Sequence, residues 1–296
     1  MKEIVIISGK GGTGKTSLTA SFAVLGGANV VVADCDVDAA DMHLLLDPDF
    51  GQAEDFYSGE LAVIDQNICS ACGACADVCR FEAIPVTDGR YIVDEISCEG
   101  CGYCARVCPD DAITNIQQNV GSWFQSQIRT GTTMVHARLN IGADNSGKLV
   151  AKVKNEARAV AVQNGIDLIL VDGSPGVGCP VVSSLSGASF AVLVTEPTVS
   201  GLHDLRRVHE LVKRFGIRAG CIINKADLNE AVLTELREFL ASEGIINLAE
   251  IPYDEKFTAA ITNRKTIVEW DDKLAAMVSA CWREIQQQIQ KQIITN

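Results

Sequence analysis

Apolar and polar positions along the chain predict short buried strands that alternate with helices. Continuous runs of β-branched and aliphatic residues indicate buried strands. Six such runs occur, at Ile4–Ser8, Asn29–Ala33, Leu168–Asp172, Ala191–Thr195, Ala219–Asn224 and Ile245–Ile251. Helical patterns occur at Leu18–Leu25, Asp38–Leu46, Lys148–Asn164, Leu202–Phe215 and Glu230–Ser242. Because strands that alternate with helices form parallel sheets covered on both faces, the pattern predicts a doubly wound, mostly parallel α/β sheet.

The pattern changes between residues 60 and 118, where the chain becomes rich in cysteine and repeats itself. Ala62–Asp65 precedes one run of cysteines and Tyr91–Asp94 precedes a second. Matching cysteines in the two runs are 29 residues apart, as Cys69 and Cys98 are. A short, internally repeated stretch of this kind predicts a small α+β domain inserted into the larger one.

The stretch after the insert, Gly121–Asn140, has no clear pattern. Trp123–Phe124 and Met134–His136 are candidate strands that connect the insert to the core. The predicted domains are therefore a discontinuous α/β domain and one insert, at residues 1–59 with 119–296 and at 60–118.

The composition of the 296-residue chain fits this fold, and its net charge argues against some classes of binding partner. Hydrophobic residues make up 47% and aromatic residues only 5%, as expected for a parallel sheet rich in aliphatic residues. The net charge of −13 disfavours nonspecific binding to nucleic acid and stable association with an anionic membrane. The charged N-terminus is unlike a signal peptide, and no apolar run approaches the roughly 18 residues of a membrane span. We expect a cytoplasmic protein, in which abundant cysteine indicates metal binding.

A glycine-rich loop between the first predicted strand and helix matches the phosphate-binding pattern G-x4-G-K-[ST]. Its glycines allow backbone N–H groups to surround phosphate oxygens at the start of a helix. Lys15 would contact the β- and γ-phosphates, and the Thr16 hydroxyl would bind magnesium. The alternative is a glycine-rich turn without a ligand. The predicted nucleotide contacts are Gly9, Gly11, Gly12, Thr13, Gly14, Lys15, Thr16 and Ser17.

Eight of the twelve cysteines form two runs with the spacing C-x2-C-x2-C-x3-C, which is typical of bacterial ferredoxins with two 4Fe-4S clusters. Iron in such clusters prefers thiolate ligands, and the fourth cysteine of each run ligates the other cluster. Pro109 follows the second run as in ferredoxins, whereas Arg80 follows the first. Two four-thiolate zinc sites are the alternative. The predicted ligand sets are Cys69, Cys72, Cys75 and Cys108 for one cluster and Cys98, Cys101, Cys104 and Cys79 for the other.

The early lysine of the phosphate loop, Lys10, adds a second signal. With it, Gly9–Thr16 resembles the "deviant" Walker loop of the MinD/ParA/nitrogenase iron protein class. The resemblance implies that Lys10 reaches across a dimer to the partner's nucleotide, where a positive finger would stabilise the transferring phosphoryl group. The alternative is an exposed loop lysine.

Two acidic segments at strand ends resemble the switch regions of the same class. Asp34–Asp36 resembles switch I, which implies that Asp36 orients the attacking water or binds magnesium. Asp38 and Asp41 are the alternatives for that role, unless these acids only favour the start of a helix. Asp172–Gly176 resembles Walker B and switch II, which implies that its aspartate meets magnesium through water. The predicted catalytic residues are Lys10, Lys15, Asp36 and Asp172.

Two turns after later strands, Asn224–Asp227 and Ile251–Asp254, resemble base-recognition turns. The turn Asn224–Asp227 also resembles a guanine-recognition motif, although proteins of the MinD/ParA class mostly use ATP. The predicted base contacts are Asn224, Asp227, Pro252 and Tyr253.

Cys179 lies seven residues after Asp172. At that offset the nitrogenase iron protein has a cysteine that ligates a cluster shared between subunits. No second cysteine lies between Cys108 and Cys179 to complete such a site, so a bridging cluster and a structural cysteine both stay open. Cys221 and Cys281 are expected to be small buried hydrophobic residues.

The whole chain resembles MinD-superfamily P-loop ATPases with an inserted ferredoxin domain, which implies ATP, magnesium and two 4Fe-4S clusters as cofactors. The first hypothesis is an ATPase, slow unless dimerised or stimulated, that couples nucleotide state to electron transfer or metal-cluster handling. The alternative is a MinD/ParA-like positioning ATPase in which the ferredoxin domain senses redox state. Expected partners are a second copy or a paralogue, and an unidentified redox protein or metalloprotein. The C-terminal stripe Ile285, Ile289 and Ile293 lacks the cations of a membrane-targeting helix.

Overall fold

The chain divides into two compact units in a computed structural model that describes residues 1–140, 142–143 and 146–294. The first unit comprises Met1–Glu54, Trp123–Arg138 and Ser146–Asn296, and the second comprises Asp55–Ser122 and Leu139–Asn145. The predicted insert at 60–118 lies within the second unit, whose bounds are wider by a few residues on each side.

Eleven strands, eleven α-helices and one short 3-10 helix (Gly27–Asn29) occur in the described ranges. The strands are β1 (Lys2–Ser8), β2 (Val31–Asp34), β3 (Gln52–Ile64), β4 (Val86–Thr87), β5 (Arg90–Tyr91), β6 (Ile113–Gln127), β7 (Thr133–Leu139), β8 (Leu168–Asp172), β9 (Phe190–Thr195), β10 (Ala219–Asn224) and β11 (Ile246–Ile251). The helices are α1 (Lys15–Gly26), α2 (Met42–Leu46), α3 (Ala74–Asp77), α4 (Tyr103–Val107), α5 (Ser146–Asn164), α6 (Cys179–Leu185), α7 (Val199–Arg214), α8 (Glu230–Glu243), α9 (Lys256–Thr262), α10 (Ile267–Trp270) and α11 (Asp272–Ile294).

The main sheet has the strand order β11-β10-β9-β1-β8-β2-β7-β6-β3. The pairs from β11 to β7 are all parallel, and β1 lies between β8 and β9. Val5, for example, is in register with Val171 on one side and Ala191 on the other. The predicted α/β fold with a large, mostly parallel sheet is therefore confirmed.

Helices cover both faces of this sheet, as a doubly wound fold requires. Because side chains alternate along a strand, Ile4 and Ile6 of β1 join the core on one face, where Phe22 of α1 stacks on Trp282 of α11 with ring centroids 5.3 Å apart. On the other face α5 packs against α6, and α7 packs against β9.

The structure corrects the sequence prediction in one segment and completes it in two others. Asp38 lies in a turn before α2, which begins only at Met42, because short acidic side chains favour turns over helix interiors. In the stretch 121–140, which had no clear pattern, the candidate strands Trp123–Phe124 and Met134–His136 are confirmed, since they lie in the longer strands β6 and β7. Ile285 and Ile289 are buried in the core of the first unit, and the Ile293 side chain lies outside the described part.

The second unit folds as two similar halves. Each cysteine loop turns through a left-handed glycine, Gly73 with φ 83° and Gly102 with φ 70°, into a one-turn helix, α3 or α4. The halves also exchange equivalent hydrogen bonds. The N–H of Asp65 donates to Ala112 O and that of Asp94 donates to Ala83 O, both at 2.8 Å. Both bonds join residues offset by the same repeat of 29, so the sequence repeat is also an approximate structural twofold.

No helix in the described ranges is long and apolar enough to cross a membrane.

Candidate functional site

A cavity of about 480 Å³ opens at the carboxyl end of β1, where the phosphate loop leads into α1. Its walls come from that loop, the turn after β2, the start of the segment after β8, and the segments after β10 and β11. The lining residues are Ser8, Gly11, Gly12, Thr13, Gly14, Lys15, Thr16, Ser17, Asp36, Ala39, Asp41, Pro175, Asn224, Lys225, Pro252, Tyr253, Asp254, Phe257, Thr258 and Ile261. In open parallel sheets ligands bind outside the carboxyl ends of the strands.

Gly14 shows why the loop needs glycine at its last position. Its φ is +91°, and a Cβ there would lie 2.4 Å from Nδ2 of Asn224. The same Nδ2 donates to Thr13 O at 2.8 Å. Asn224, predicted as a base contact, therefore holds the phosphate loop in shape from the neighbouring part of the sheet edge.

The ammonium of Lys15 lies between two carboxylates at the base of the cavity. Its Nζ is 2.9 Å from Asp172 Oδ2 and 3.3 Å from Asp36 Oδ2, and its side chain is 6% exposed. Thr16, the residue predicted to bind magnesium, is close by, because its Oγ1 donates a hydrogen bond to Asp172 Oδ2 at 2.9 Å. Thr19, which the sequence analysis missed, donates to Asp172 Oδ1 at 2.8 Å and fixes that carboxylate from behind.

The protonation states of Lys15 and of the aspartates around it depend on one another. Burial alone would lower the pKa of Lys15, but Asp172 and Asp36 outweigh it and raise the pKa, so the lysine stays cationic. Burial raises the pKa of Asp36. Burial, with the neighbouring Asp172 carboxylate, raises the pKa of Asp34 well above its usual range, and Asp34 Oδ2 has no hydrogen-bond partner. Lys15 thus balances a group of acids where phosphates and a divalent cation are predicted.

The structure places Lys10 outside the cavity. Its Nζ lies 2.7 Å from Glu196 Oε1 and 2.9 Å from Ser200 Oγ of its own chain. Lys225 binds the other oxygen of Glu196 at 2.7 Å. Sequence reasoning could not foresee these contacts, because Glu196 lies far along the chain from the phosphate loop.

Not all of the predicted base contacts line the cavity. Tyr253 lines the cavity, whereas Asp227 does not; its Oδ1 accepts a hydrogen bond from the backbone N–H of Tyr253 at 2.6 Å. A carboxylate used in this way holds the turn and leaves the guanine interpretation without support. Phe257 and Ile261 were missed, although their spacing of four on α9 puts both on one helix face.

Most of the other predicted residues lie apart from the cavity, and Asp41 is an exception. A Cβ at Gly9 would lie 2.5 Å from Asp204 Cβ, so this glycine serves a close approach to α7. Of the two alternative acids, Asp41 lines the cavity and Asp38 does not. Cys179 is exposed at the start of α6. Cys221 and Cys281 are buried as expected.

In the second unit, four cysteines line one small, mostly apolar cavity together with Phe81 and Tyr103. They come from both runs and are Cys79, Cys98, Cys101 and Cys104. This set is the one predicted for the second cluster, with Cys79 supplied by the opposite run.

Backbone N–H groups point at cysteine sulfurs in both halves. Ala83 N donates to Cys79 Sγ at 3.4 Å, and its repeat equivalent Ala112 N donates to Cys108 Sγ at 3.3 Å. Burial raises the pKa of the thiols of Cys75 and Cys104, which hold equivalent positions in the two halves. Hydrogen bonds to sulfur are among the features that tune iron–sulfur clusters.

In the described ranges, no group of three or more His, Cys, Asp or Glu side chains is arranged to hold a metal ion. A zinc site needs four ligands about 2.0–2.3 Å from one centre, so this result gives the zinc alternative no support. It gives the predicted 4Fe-4S clusters no support either; their case depends on the cysteine spacing and the cavity.

A phosphate loop at the carboxyl edge of a mostly parallel sheet defines a P-loop nucleotide-binding protein. Residues 4–267 match the profile of the CobQ/CobB/MinD/ParA nucleotide binding domain. The chain belongs to that family of P-loop ATPases.

Two relatives of this chain are uncharacterized proteins that both come from Methanocaldococcus jannaschii. One is 31% identical over 287 residues, covering 96% of each chain. The other is 24% identical over 278 residues, covering 92% of this chain and 94% of the relative. Among solved structures, the septum site-determining protein MinD complexed with Mg-ADP from Pyrococcus horikoshii has a TM-score of 0.55 at 21% identity, covering 96% of this chain and 95% of that one. This last likeness shows the fold.

Proposed function

We propose that the protein binds Mg·ATP in the cavity at the phosphate loop and hydrolyses it, acting as a switch that dimerises with nucleotide. The observation that carries this proposal is the Lys15 ammonium held between Asp36 and Asp172, with Thr16 on the same Asp172 carboxylate. These groups are the ones needed to bind phosphate, hold a divalent cation and orient a water.

Each residue has a separate role in this scheme. The backbone N–H groups of the phosphate loop bind phosphate oxygens, and Lys15 exchanges its carboxylate partners for the β- and γ-phosphates. Thr16 would bind magnesium directly and Asp172 would bind it through water; the bound ion would supply positive charge beside the phosphates. Asp36 lines the cavity and orients the attacking water. Asn224, Pro252 and Tyr253 contact the base at the far end, and Asp227 holds their turn.

Lys10 completes the site in trans. In the described chain it contacts its own Glu196 and lies outside the cavity, so hydrolysis would require a dimer in which each Lys10 reaches the partner's nucleotide. A homodimer meets this need. A heterodimer with a paralogue meets it too, and the presence of two relatives in one archaeon supports that option.

The test is Lys10→Ala. We expect hydrolysis to fall by roughly 10³-fold or more, the scale of a lost finger residue, while ATP binding persists because Lys15 still holds the phosphates. Lys213→Ala, which removes an exposed lysine of α7, is the matched control and should hydrolyse ATP normally. Wild-type turnover by Lys10→Ala would refute the finger role.

We further propose that the second unit holds two 4Fe-4S clusters with the predicted ligand sets. Support comes from the shared cavity of Cys79, Cys98, Cys101 and Cys104 and from the matched N–H···S hydrogen bonds in the two halves. Bound clusters would supply reversible storage of electrons. The residues of this chain provide thiolates, hydrogen bonds to sulfur and a mostly apolar pocket.

Two uses of the switch are compatible with these parts. The comparisons favour a positioning ATPase, because the named structural relative is a septum site-determining protein. The eight cysteines favour coupling of ATP to electron transfer or cluster handling. EPR spectra of anaerobically purified protein with and without ATP separate the two uses. A nucleotide-dependent change in the cluster signal supports coupling, and identical spectra with ATP-dependent localisation support positioning.

A further inference from the structure

Glu196 joins two lysines at the edge of the nucleotide site. One carboxylate oxygen lies 2.7 Å from Lys10 Nζ and the other lies 2.7 Å from Lys225 Nζ. The Glu196 side chain is 11% exposed and each lysine is 28% exposed. Burial alone would raise the pKa of Glu196, but the hydrogen bonds and charges of Lys10 and Lys225 outweigh it and lower the pKa, so the carboxylate is ionised at neutral pH.

Lys10 is fully engaged by its own chain in this arrangement. Besides Glu196 it donates to Ser200 Oγ at 2.9 Å and to Thr198 Oγ1 at 3.3 Å. Thr198 is itself fixed as the N-cap of α7, where its side chain accepts from Gly201 N. Three acceptors at or just before the start of α7, Glu196, Thr198 and Ser200, therefore compete with any acceptor offered by a partner subunit.

Lys225 connects the same carboxylate to the phosphate loop. Its Nζ also donates to Gly12 O of the phosphate loop at 3.1 Å, and the residue lines the cavity. Its backbone has φ +53°, an unusual conformation for lysine. By occupying one oxygen of Glu196, Lys225 leaves only the other oxygen for Lys10.

We infer that Glu196 is a positioning residue that retains Lys10 on its own chain until the nucleotide-bound dimer forms. The inference builds on the proposed trans role of Lys10. Only molecules in which Lys10 has left Glu196 can form this dimer. The apparent affinity of dimerisation is therefore reduced in proportion to the fraction of molecules in that state. Lys225 limits the retention, because it shares the carboxylate.

Glu196→Gln tests the inference, since it removes the charge and keeps the size and one acceptor oxygen. The measurement is the protein concentration at half-maximal specific ATPase activity, at saturating ATP, with the dimer followed by analytical ultracentrifugation. We expect this concentration to fall by about five- to tenfold, the lower part of the usual range of coupling factors. Lys225→Met should raise it, because both oxygens of Glu196 then bind Lys10.

Two further measurements separate this role from a structural one. Glu196→Asp keeps the charge and should restore a midpoint close to wild type. The ADP affinity of the dilute monomer should be the same in wild type and Glu196→Gln, since Glu196 does not line the cavity. If Glu196→Gln does not fold, Ser200→Ala replaces it; that variant removes an uncharged acceptor of Lys10 and should lower the midpoint by about two- to threefold.

An unchanged or raised midpoint in Glu196→Gln would overturn the inference, as would a lowered midpoint in Lys225→Met. The outcome is separable from the proposed function. Wild-type hydrolysis by Lys10→Ala defeats the finger role itself. An inactive Lys10→Ala together with an unresponsive Glu196→Gln defeats only the retention of Lys10 by Glu196.

Discussion

The two units differ in the interactions that stabilise their folded structures. The first has a large aliphatic core on its sheet and a nucleotide site in which Lys15, Thr16 and Asp172 already satisfy one another. The second has five buried hydrophobic residues at its centre, Ala62, Ile64, Cys75, Ile84 and Ile113, and its remaining core contacts include cysteines. Small domains with so little core usually need a metal or disulfides to be stable. We therefore expect the nucleotide unit to be organised before its ligand arrives, and the cysteine unit to need a ligand of its thiols for stability.

The largest expected effect is the loss of the two proposed clusters. Anaerobic protein should contain about eight irons and eight sulfides per chain, as two four-iron cubes require. Chelation of the iron should make Asp55–Ser122 sensitive to protease, because metal binding and folding are coupled in such units. ADP affinity should persist. Two zincs without acid-labile sulfide would contradict the cluster assignment.

A matched pair of cysteine variants sharpens this result. Cys101→Ser removes a predicted cluster ligand in the cavity of the second unit and should lower the iron content by about half. Cys281→Ser removes a thiol buried in the first unit, whose pKa burial raises to about 12, and should keep full iron content. Equal iron in both variants would be incompatible with the ligand sets.

The next effect concerns Gly14 of the phosphate loop. Gly14→Ala should weaken ATP binding by about 100-fold or more, because the new Cβ meets Asn224 Nδ2 at 2.4 Å in a left-handed backbone. Gly244→Ala is the control, since Gly244 also has positive φ but faces open space. It should cost about 1 kcal/mol of stability and leave binding intact. Calorimetric titration with ATP measures both variants.

A smaller effect of pH is expected in the first unit alone. Burial lowers the pKa of His136 to about 4 from 6.5, and Ser126 Oγ lies 2.9 Å from its Nε2. The unfolded chain thus takes up the proton first as pH falls through 6.5, and the folded state loses stability until about pH 4. Between pH 7.5 and 5 the loss should be about 2 kcal/mol.

Hydrogen exchange of β2 and β7 measures this loss, and the variant His136→Asn should flatten the pH dependence. If stability depends on pH in His136→Asn as it does in the wild type, the loss of stability at low pH comes from groups other than His136.

The smallest effect is the influence of one unit on the other. β6 carries the chain out of the second unit and leads into β7, which pairs with β2 next to the predicted switch I acids. If nucleotide state and redox state are coupled, ATP dissociation constants of oxidised and reduced protein should differ by about 1–3 kcal/mol in free energy. Cluster potentials with and without ATP must then shift by the same free energy. No change in either quantity would leave ATP and the clusters thermodynamically independent.

Local patterns made part of the site predictable. The phosphate loop could be found because its function needs glycines and Lys15 at fixed spacing, and the cysteine runs because ligand geometry fixes theirs. β6 and β7 were harder, since much of β6 is polar or exposed and gives no continuous apolar run. The contacts of Lys10 with Glu196 and of Asp227 with Tyr253 depend on residues brought together only by the fold. No local pattern encodes them.

The exchanged hydrogen bonds of the cysteine unit have an evolutionary consequence. Asp65 bonds to Ala112 of the other half, and Asp94 bonds to Ala83 in return. Two separate copies of one ancestral peptide would make the same reciprocal contacts in a homodimer, with each copy lending its last cysteine to the other. Tandem duplication of such a gene would place both copies in one polypeptide and remove the dependence of assembly on concentration. In that history, the unit would be the covalently joined form of such a dimer.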